Sequence, residues 1–116
     1  MDKRTLEKIK RIAESLEWSV YINKMNKEYE FEFSVFTPAG QDFNMVIVCD
    51  DSVESFIGKL YDYYDSFDAD YEASFWIGDD GHGTKGAPYH IKDIVDDMEQ
   101  AERMIYELYI RIKESF

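Results

Sequence analysis

The chain has 116 residues, of which 45% are hydrophobic and 16% aromatic, so it carries enough apolar side chains for one compact core. Its 25 acidic residues against 13 lysines and arginines give a formal net charge of −12, which disfavours direct binding to DNA, RNA or anionic membranes. No apolar run approaches the roughly 20 residues of a membrane span, there is no secretory signal pattern, and Cys49 has no partner for a disulfide, so we expect a cytoplasmic location.

The first half of the chain predicts one helix followed by three strands. Apolar residues recur at helical spacing over residues 4–16, and the period then changes to two over residues 18–22. Residues 29–35 alternate strictly between apolar and polar side chains, and residues 43–49 continue a third strand after the turn at residues 37–40. Because the connections are short, the three strands should form an antiparallel meander.

A second helix is predicted to begin after the third strand. The segment Asp50-Asp51-Ser52 is expected to close the strand and cap the helix, with Glu54 three residues after Asp51 as in a capping box. The apolar positions that follow indicate one buried stripe, which comprises Val53, Phe56, Ile57, Leu60, Tyr64 and Phe67.

The last third of the chain predicts a short helix, an exposed loop and a long helix. The short helix should cover residues 71–77, and residues 78–88 hold four of the six glycines, which is typical of a loop. The long helix should begin near Tyr89 and bury an apolar stripe, and it is also a candidate element for a homodimer contact. This stripe comprises Ile91, Ile94, Val95, Met98, Ala101, Ile105, Leu108 and Ile112.

These elements predict a single α+β domain over residues 1–116. A three-stranded antiparallel sheet in α-β-β-β-α order is followed by a short helix and a long C-terminal helix packed on one face. The first five elements resemble the order of a double-stranded-RNA-binding domain. That function is not expected, because such domains place phosphate-contacting lysines where this chain has Asp50-Asp51-Ser52.

The negative charge is concentrated in the middle of the chain. Residues 51–80 hold nine acidic residues against Lys59 alone and so contribute −8 of the net −12. Acidic residues three or four positions apart on a helix share one face, at a spacing comparable to that of phosphates along a strand. We predict a partner-binding surface for a basic protein, made of Asp51, Glu54, Asp62, Tyr63, Asp65, Asp68, Asp70 and Glu72. Tyr63 is predicted to be the most exposed of the nearby tyrosines, and a merely solubilising acidic surface is the alternative.

No catalytic, metal or cofactor site is predicted. The segment Asp79–Gly83 fails the calcium-loop pattern, since its third and fifth positions are Gly81 and Gly83. His82 and His90 lie eight residues apart and far from Cys49, which does not suit zinc. A histidine among glycines, with no nucleophile nearby in the sequence, does not indicate an enzyme.

A stretch of about one-third of the chain resembles a segment of small, mostly uncharacterised proteins of phages and conjugative elements. The matching positions are Tyr64–Asp70, Trp76-Ile77, Gly83, Gly86-Ala87-Pro88 and Ile94–Glu99. Small acidic proteins of mobile elements include anti-CRISPR and antirestriction inhibitors, several of which imitate DNA. The resemblance implies a non-catalytic inhibitor of a host-defence protein, for example a Cas nuclease.

Two other functions remain open from the sequence. An immunity protein or antitoxin would use the same acidic surface to mask a basic toxin. A phage structural or assembly protein would instead use the long C-terminal helix to oligomerise.

Overall fold

The fold was described from a computed structural model that covers residues 1–116. It confirms the predicted α+β class and element order. Four helices and three strands follow one another along the chain: α1 Lys3–Ser15, β1 Ser19–Met25, β2 Glu28–Phe36, β3 Asp42–Asp50, α2 Val53–Asp65, α3 Ala69–Ser74 and α4 Ile91–Ser115.

The three strands form one antiparallel sheet in the order β1-β2-β3. Phe31 of β2 lies opposite Ile22 on one side and Ile47 on the other. Every second side chain of β2 and β3 is buried, whereas the alternate positions are exposed or half-buried. The period-two pattern of the sequence therefore predicted both faces of the central and third strands correctly.

The helices all contribute to a core on the inner face of the sheet. Trp18 and Phe56 make close aromatic contacts there, with Phe56 only 4.4 Å from the ring of Phe31. Six residues of the predicted α4 stripe are fully buried, but Ile91 is 46% exposed and Val95 is half-buried. The stripe is therefore used inside the chain's own core, as its spacing predicted, and a homodimer contact through α4 stays a prediction. None of the helices is long and apolar enough to cross a membrane.

Several predicted helix boundaries are off by one to three residues; α3, for example, ends at Ser74 and not at Ile77. Within the predicted cap segment Asp50–Ser52, Ser52 is the residue that caps α2: its hydroxyl accepts a hydrogen bond from the Ser55 amide at 3.1 Å. Asp68 caps α3 by accepting hydrogen bonds from the amides of Asp70 and Tyr71. This cap starts α3 two residues earlier than predicted.

A buried carboxylate ties the turn between β2 and β3 to α4. Asp97 is only 4% exposed and accepts a hydrogen bond from the Thr37 hydroxyl at 2.5 Å and one from the Ala39 amide at 3.0 Å. The Thr37 hydroxyl in turn accepts the Gln41 amide at 3.0 Å. Asp97 therefore orients the turn that sets the register of β3 against β2.

The glycine-rich segment between α3 and α4 is folded back on itself. The Gly83 amide donates to the Tyr89 carbonyl at 2.9 Å, and the Thr84 amide donates to the Trp76 carbonyl at 2.8 Å. The ring of His82 stacks on that of Tyr89, with centroids 4.1 Å apart. The segment contains no regular helix or strand, but these hydrogen bonds hold its backbone in a defined loop.

Candidate acidic binding face

The outer side of α2 carries a row of carboxylates. At 3.6 residues per turn, positions 54, 58, 62 and 65 fall within roughly an 80° arc. Glu54, Asp62 and Asp65 are all exposed, while Phe56 and Leu60 on the opposite side are fully buried. The helix is thus amphipathic, and core packing turns these three carboxylates to solvent.

Two further exposed carboxylates follow α2 in the chain. Asp68 and Asp70 are exposed at the start of α3. The Cα of Asp68 is at most about 11 Å from that of Asp65, because only three peptide units separate them. We call Glu54, Asp62, Asp65, Asp68 and Asp70 the acidic face.

Two residues that were predicted for the partner-binding surface, Asp51 and Glu72, do not belong to the acidic face. Asp51 forms an ion pair with the amino group of Met1, which compensates its charge. Glu72 is half-buried and lines a cleft with Asp42, Asn44, Phe75, Trp76 and Lys85. Burial, together with the nearby carboxylate of Asp68, raises the pKa of Glu72 above its usual value. Neither residue adds a free, exposed charge to the acidic face.

No residue of the acidic face forms an ion pair within the chain. The ion pairs of the fold are Met1–Asp51, Lys3–Glu7 and Lys10–Glu14, and His82 lies 4.0 Å from Asp80. Asp68 is stabilised by the two backbone amides that it accepts at the start of α3, and Lys59 lines a cleft with Asp62 without reaching ion-pair distance. Glu54, Asp65 and Asp70 have no such neighbour, so solvent and salt reduce the repulsion that remains.

Tyrosines flank the acidic face on the side of α4. The rings of Tyr61 and Tyr109 lie 5.2 Å apart and those of Tyr64 and Tyr106 lie 4.9 Å apart, which joins α2 to α4. Tyr61 is 42% exposed and Tyr106 is 44% exposed. Exposed tyrosines offer large contact areas at low entropic cost and are enriched in protein interfaces.

Tyr63 lies on the other side of α2, and the prediction that it is the most exposed tyrosine is wrong. It is half-buried, with its ring 6.3 Å from that of Phe67. Burial first, and the nearby carboxylate of Glu72 second, raise the pKa of Tyr63 to about 12. Sequence spacing alone could not separate Tyr63 from Tyr61, because both flank the buried stripe and the difference depends on which neighbour covers each.

The raised pKa of Tyr63 predicts a loss of stability in alkaline solution. The folded state favours the neutral phenol, so its contribution is complete below pH 10 and is lost as the pH rises towards 12. After allowance for the partial exposure of Tyr63, we expect its ionisation to lower the free energy of unfolding by about 1 kcal/mol in alkaline solution. Urea unfolding at pH 8 to 11.5 should show a smaller loss in Tyr63→Phe than in the parent; parallel curves would contradict the assignment.

Two shallow clefts lie beside β3 at the free edge of the sheet. The first has a volume of about 270 Å³ and lies between the start of β3, the region of Glu72 to Trp76, and Lys85. The second has a volume of about 230 Å³ and lies between α2 and β3, beside Val46 and Val48; Lys59, Asp62, Tyr63 and Ser66 also line it, and we call it the edge cleft. The sequence did not single out the two valines, because their exposure follows from the order of strands in the sheet.

The structure does not bring catalytic or metal-binding groups together. No group of three or more His, Cys, Asp or Glu side chains converges in a geometry suited to a metal ion. Cys49 is buried, and burial raises the pKa of its thiol to about 11, which leaves it protonated and unreactive at neutral pH. His82 stacks on Tyr89, and no Ser or Cys side chain is hydrogen-bonded to it.

Searches against protein families, curated proteins and solved structures found no significant match to this chain. Its chemistry therefore has to be inferred from the chain's own geometry. The most distinctive feature of that geometry is the acidic face between the exposed tyrosines and the edge cleft.

Proposed function

We propose that this chain is a non-catalytic inhibitor that binds the basic, nucleic-acid-binding surface of another protein through its acidic face. The observation that carries the proposal is the set of five exposed carboxylates on α2 and at the start of α3, none of which forms an ion pair within the chain. Such a concentration of negative charge attracts a surface rich in Lys and Arg, accelerates encounter with it and excludes nucleic acid itself by charge.

The alternative of a merely solubilising surface accounts less well for the arrangement. Asp62 and Asp65 are like charges three positions apart on α2, an arrangement that costs a few tenths of a kcal/mol. An ordinary solvated face mixes both signs, as α1 does with its Lys3–Glu7 and Lys10–Glu14 pairs. The exposed Tyr61 and Tyr106 beside the carboxylates further favour an interface over a purely soluble surface.

The partner class that we propose is a bacterial host-defence nuclease, with a Cas nuclease as the first to test. The support is the acidic face itself: its carboxylates are exposed, and Asp62 and Asp65, three positions apart on α2, have a spacing comparable to that of phosphates along a strand. Docking of the acidic face in a groove lined by Lys and Arg would deny that groove to guide RNA or target DNA.

A cleavage assay with Cas9 and its guide tests the proposal. We expect inhibition when the protein is added before target DNA, and little inhibition when the DNA is bound first. Raising the salt from about 0.1 to 0.5 M should weaken inhibition strongly, because charges on exposed surfaces are then screened. Unchanged cleavage at a large excess of the protein would exclude Cas9 as the partner, and inhibition insensitive to salt would contradict the electrostatic mode.

A further inference from the structure

Strand β3 forms one edge of the sheet, and no element of the fold pairs with its outer side. The Thr37 amide donates to the Gln41 carbonyl at 2.9 Å, so the pairs that exchange hydrogen bonds with β2 continue at every second residue, as at Val35–Phe43 and Phe33–Met45. The amides and carbonyls of Asn44, Val46 and Val48 therefore point away from the sheet.

A contact at the end of the strand supports this assignment. The Asp50 amide belongs to the same outward-pointing set, and it donates to the Ser55 hydroxyl of α2 at 2.9 Å. None of the main-chain or side-chain hydrogen bonds outside regular elements involves the amides or carbonyls of Asn44, Val46 or Val48. Three consecutive outward positions thus leave their backbone groups to solvent.

This edge lacks the devices that usually protect an exposed strand. Residues 42–50 contain no proline, glycine, lysine or arginine, and their register with β2 is unbroken over nine residue pairs. Natural edge strands are commonly interrupted by a bulge, a proline or a lysine, because an open edge pairs readily with another chain. An unprotected nine-residue edge is a template for one more strand.

The side chains around the edge differ on its two sides. On the outer face of the sheet, Val46 and Val48 are 50% and 40% exposed. On the inner side the edge cleft places Asp62 beside the strand, with Ser66 and the half-buried Tyr63. An added strand would therefore meet apolar side chains at one set of positions and a free carboxylate at the alternate set.

Charge selects the occupant of this edge. Asp42 and Asp50 stand at the two ends of β3; with Asp62 and Glu72, these four carboxylates outnumber the two bases of the adjoining clefts, Lys59 and Lys85. A second copy of the chain would bring another net charge of −12, and antiparallel pairing of two β3 strands would set Asp42 near Asp50 of the other copy. A basic segment meets neither penalty.

We infer that β3 accepts an extended basic segment of the partner protein as a fourth strand. Its outer positions carry apolar side chains against Val46 and Val48, and its inner positions carry Lys or Arg towards Asp62. The inference rests on the proposed function for the sign of the partner's charge, and it adds backbone pairing as the means of attachment.

Two synthetic peptides of equal charge test the inference. The first is acetyl-Lys-Val-Lys-Val-Lys-Val-Lys-amide, and the second is the same peptide with N-methylated valines, which cannot donate to β3. We expect the first to bind about tenfold more tightly, since each backbone hydrogen bond contributes roughly 0.5–1.5 kcal/mol. In ¹⁵N spectra the amides of Asn44, Val46 and Val48 should shift and exchange more slowly with solvent only in the first complex.

A pair of protein variants provides the matched control. Val46→Pro removes an outward amide and no hydrogen bond of the β2–β3 ladder, whereas Val46→Thr keeps both the amide and the branched shape. Circular dichroism and urea unfolding verify that both variants fold. We expect about tenfold weaker binding of the first peptide by Val46→Pro and unchanged binding by Val46→Thr.

Each alternative outcome is distinguishable. Equal binding of the two peptides, with no effect of Val46→Pro, would overturn strand addition and leave the acidic face as the attraction. Glu54→Lys/Asp65→Lys reverses two charges of the acidic face that do not line the edge cleft. Loss of binding of both peptides in this variant supports the acidic face, and binding that survives the change would count against the proposed function. A dimer in sedimentation that Val46→Pro abolishes would assign the edge to a second copy and overturn the basic segment.

Discussion

Replacing Gly83 by alanine is expected to destabilise the fold by about 3 kcal/mol or more. A Cβ atom at this position would overlap the carbonyl group of Pro88, which is backbone and cannot rotate away. To make room, the segment would have to break the hydrogen bond between the Gly83 amide and the Tyr89 carbonyl. Urea unfolding should show the lower stability, and the stacking of His82 on Tyr89 should be lost in NMR spectra.

The same substitution at Gly58 is the matched control, with an effect of opposite sign. Gly58 lies in α2 and is exposed, and no atom outside its immediate helical surroundings lies within 4 Å of the place that an alanine methyl group would take. Alanine is favoured over glycine in a helix by roughly 0.5–1 kcal/mol, so Gly58→Ala should stabilise the protein. Similar effects of the two substitutions would contradict the described path of the segment between α3 and α4.

Removal of the Asp97 carboxylate is expected to cost about 3 kcal/mol. Asp97→Ala leaves the buried Thr37 hydroxyl and the Ala39 amide without their acceptor, and the β2–β3 turn loses its link to α4. Asp97→Asn retains one oxygen acceptor, so its loss should be intermediate. Thermal or urea unfolding measures both effects.

The neighbouring aspartate supplies the control for this second prediction. Asp96 is exposed and has no ion-pair partner, so Asp96→Ala should change the free energy of unfolding by no more than about 0.5 kcal/mol. If Asp97→Ala were as mild as Asp96→Ala, the carboxylate would not be the anchor of the turn.

Most of the fold could be predicted from local patterns. The strict alternation over residues 29–35 determines which side chains of β2 face the core, and every apolar one among them is buried. The apolar stripe of α4 was predicted with only Ile91 clearly misplaced. Ile91 is the first residue of that helix, where the chain has not yet reached the core.

The candidate site could be predicted only in part, because it depends on contacts between distant residues. Spacing on α2 identified Glu54, Asp62 and Asp65 correctly as one exposed row. Spacing could not show that the Met1 amino group pairs with Asp51 or that Glu72 turns into a cleft. Those two outcomes depend on how α1, α3 and the sheet pack together.

The buried aspartate and the open edge of β3 had no signal in the sequence. Asp97 sits in a run of acidic residues, and its burial follows from the approach of the β2–β3 turn to α4. The edge of β3 is defined by strand order, which places β2 in the centre and leaves β3 with one neighbour. Periodicity determines the faces of a strand but not its place in a sheet.

The central claim is that the acidic face itself binds a basic partner, and charge reversal tests it most directly. The affinity of the variant Asp62→Lys/Asp65→Lys should be measured for a partner captured from bacterial lysate. The control is the variant Glu107→Lys/Glu114→Lys, which makes the same change in net charge on the side of α4 that is turned away from the core. We expect about 100-fold weaker binding for the first variant and a much smaller change for the second, with both variants folded. Equal affinities of the two variants would contradict the claim, since binding would then follow net charge and not the acidic face.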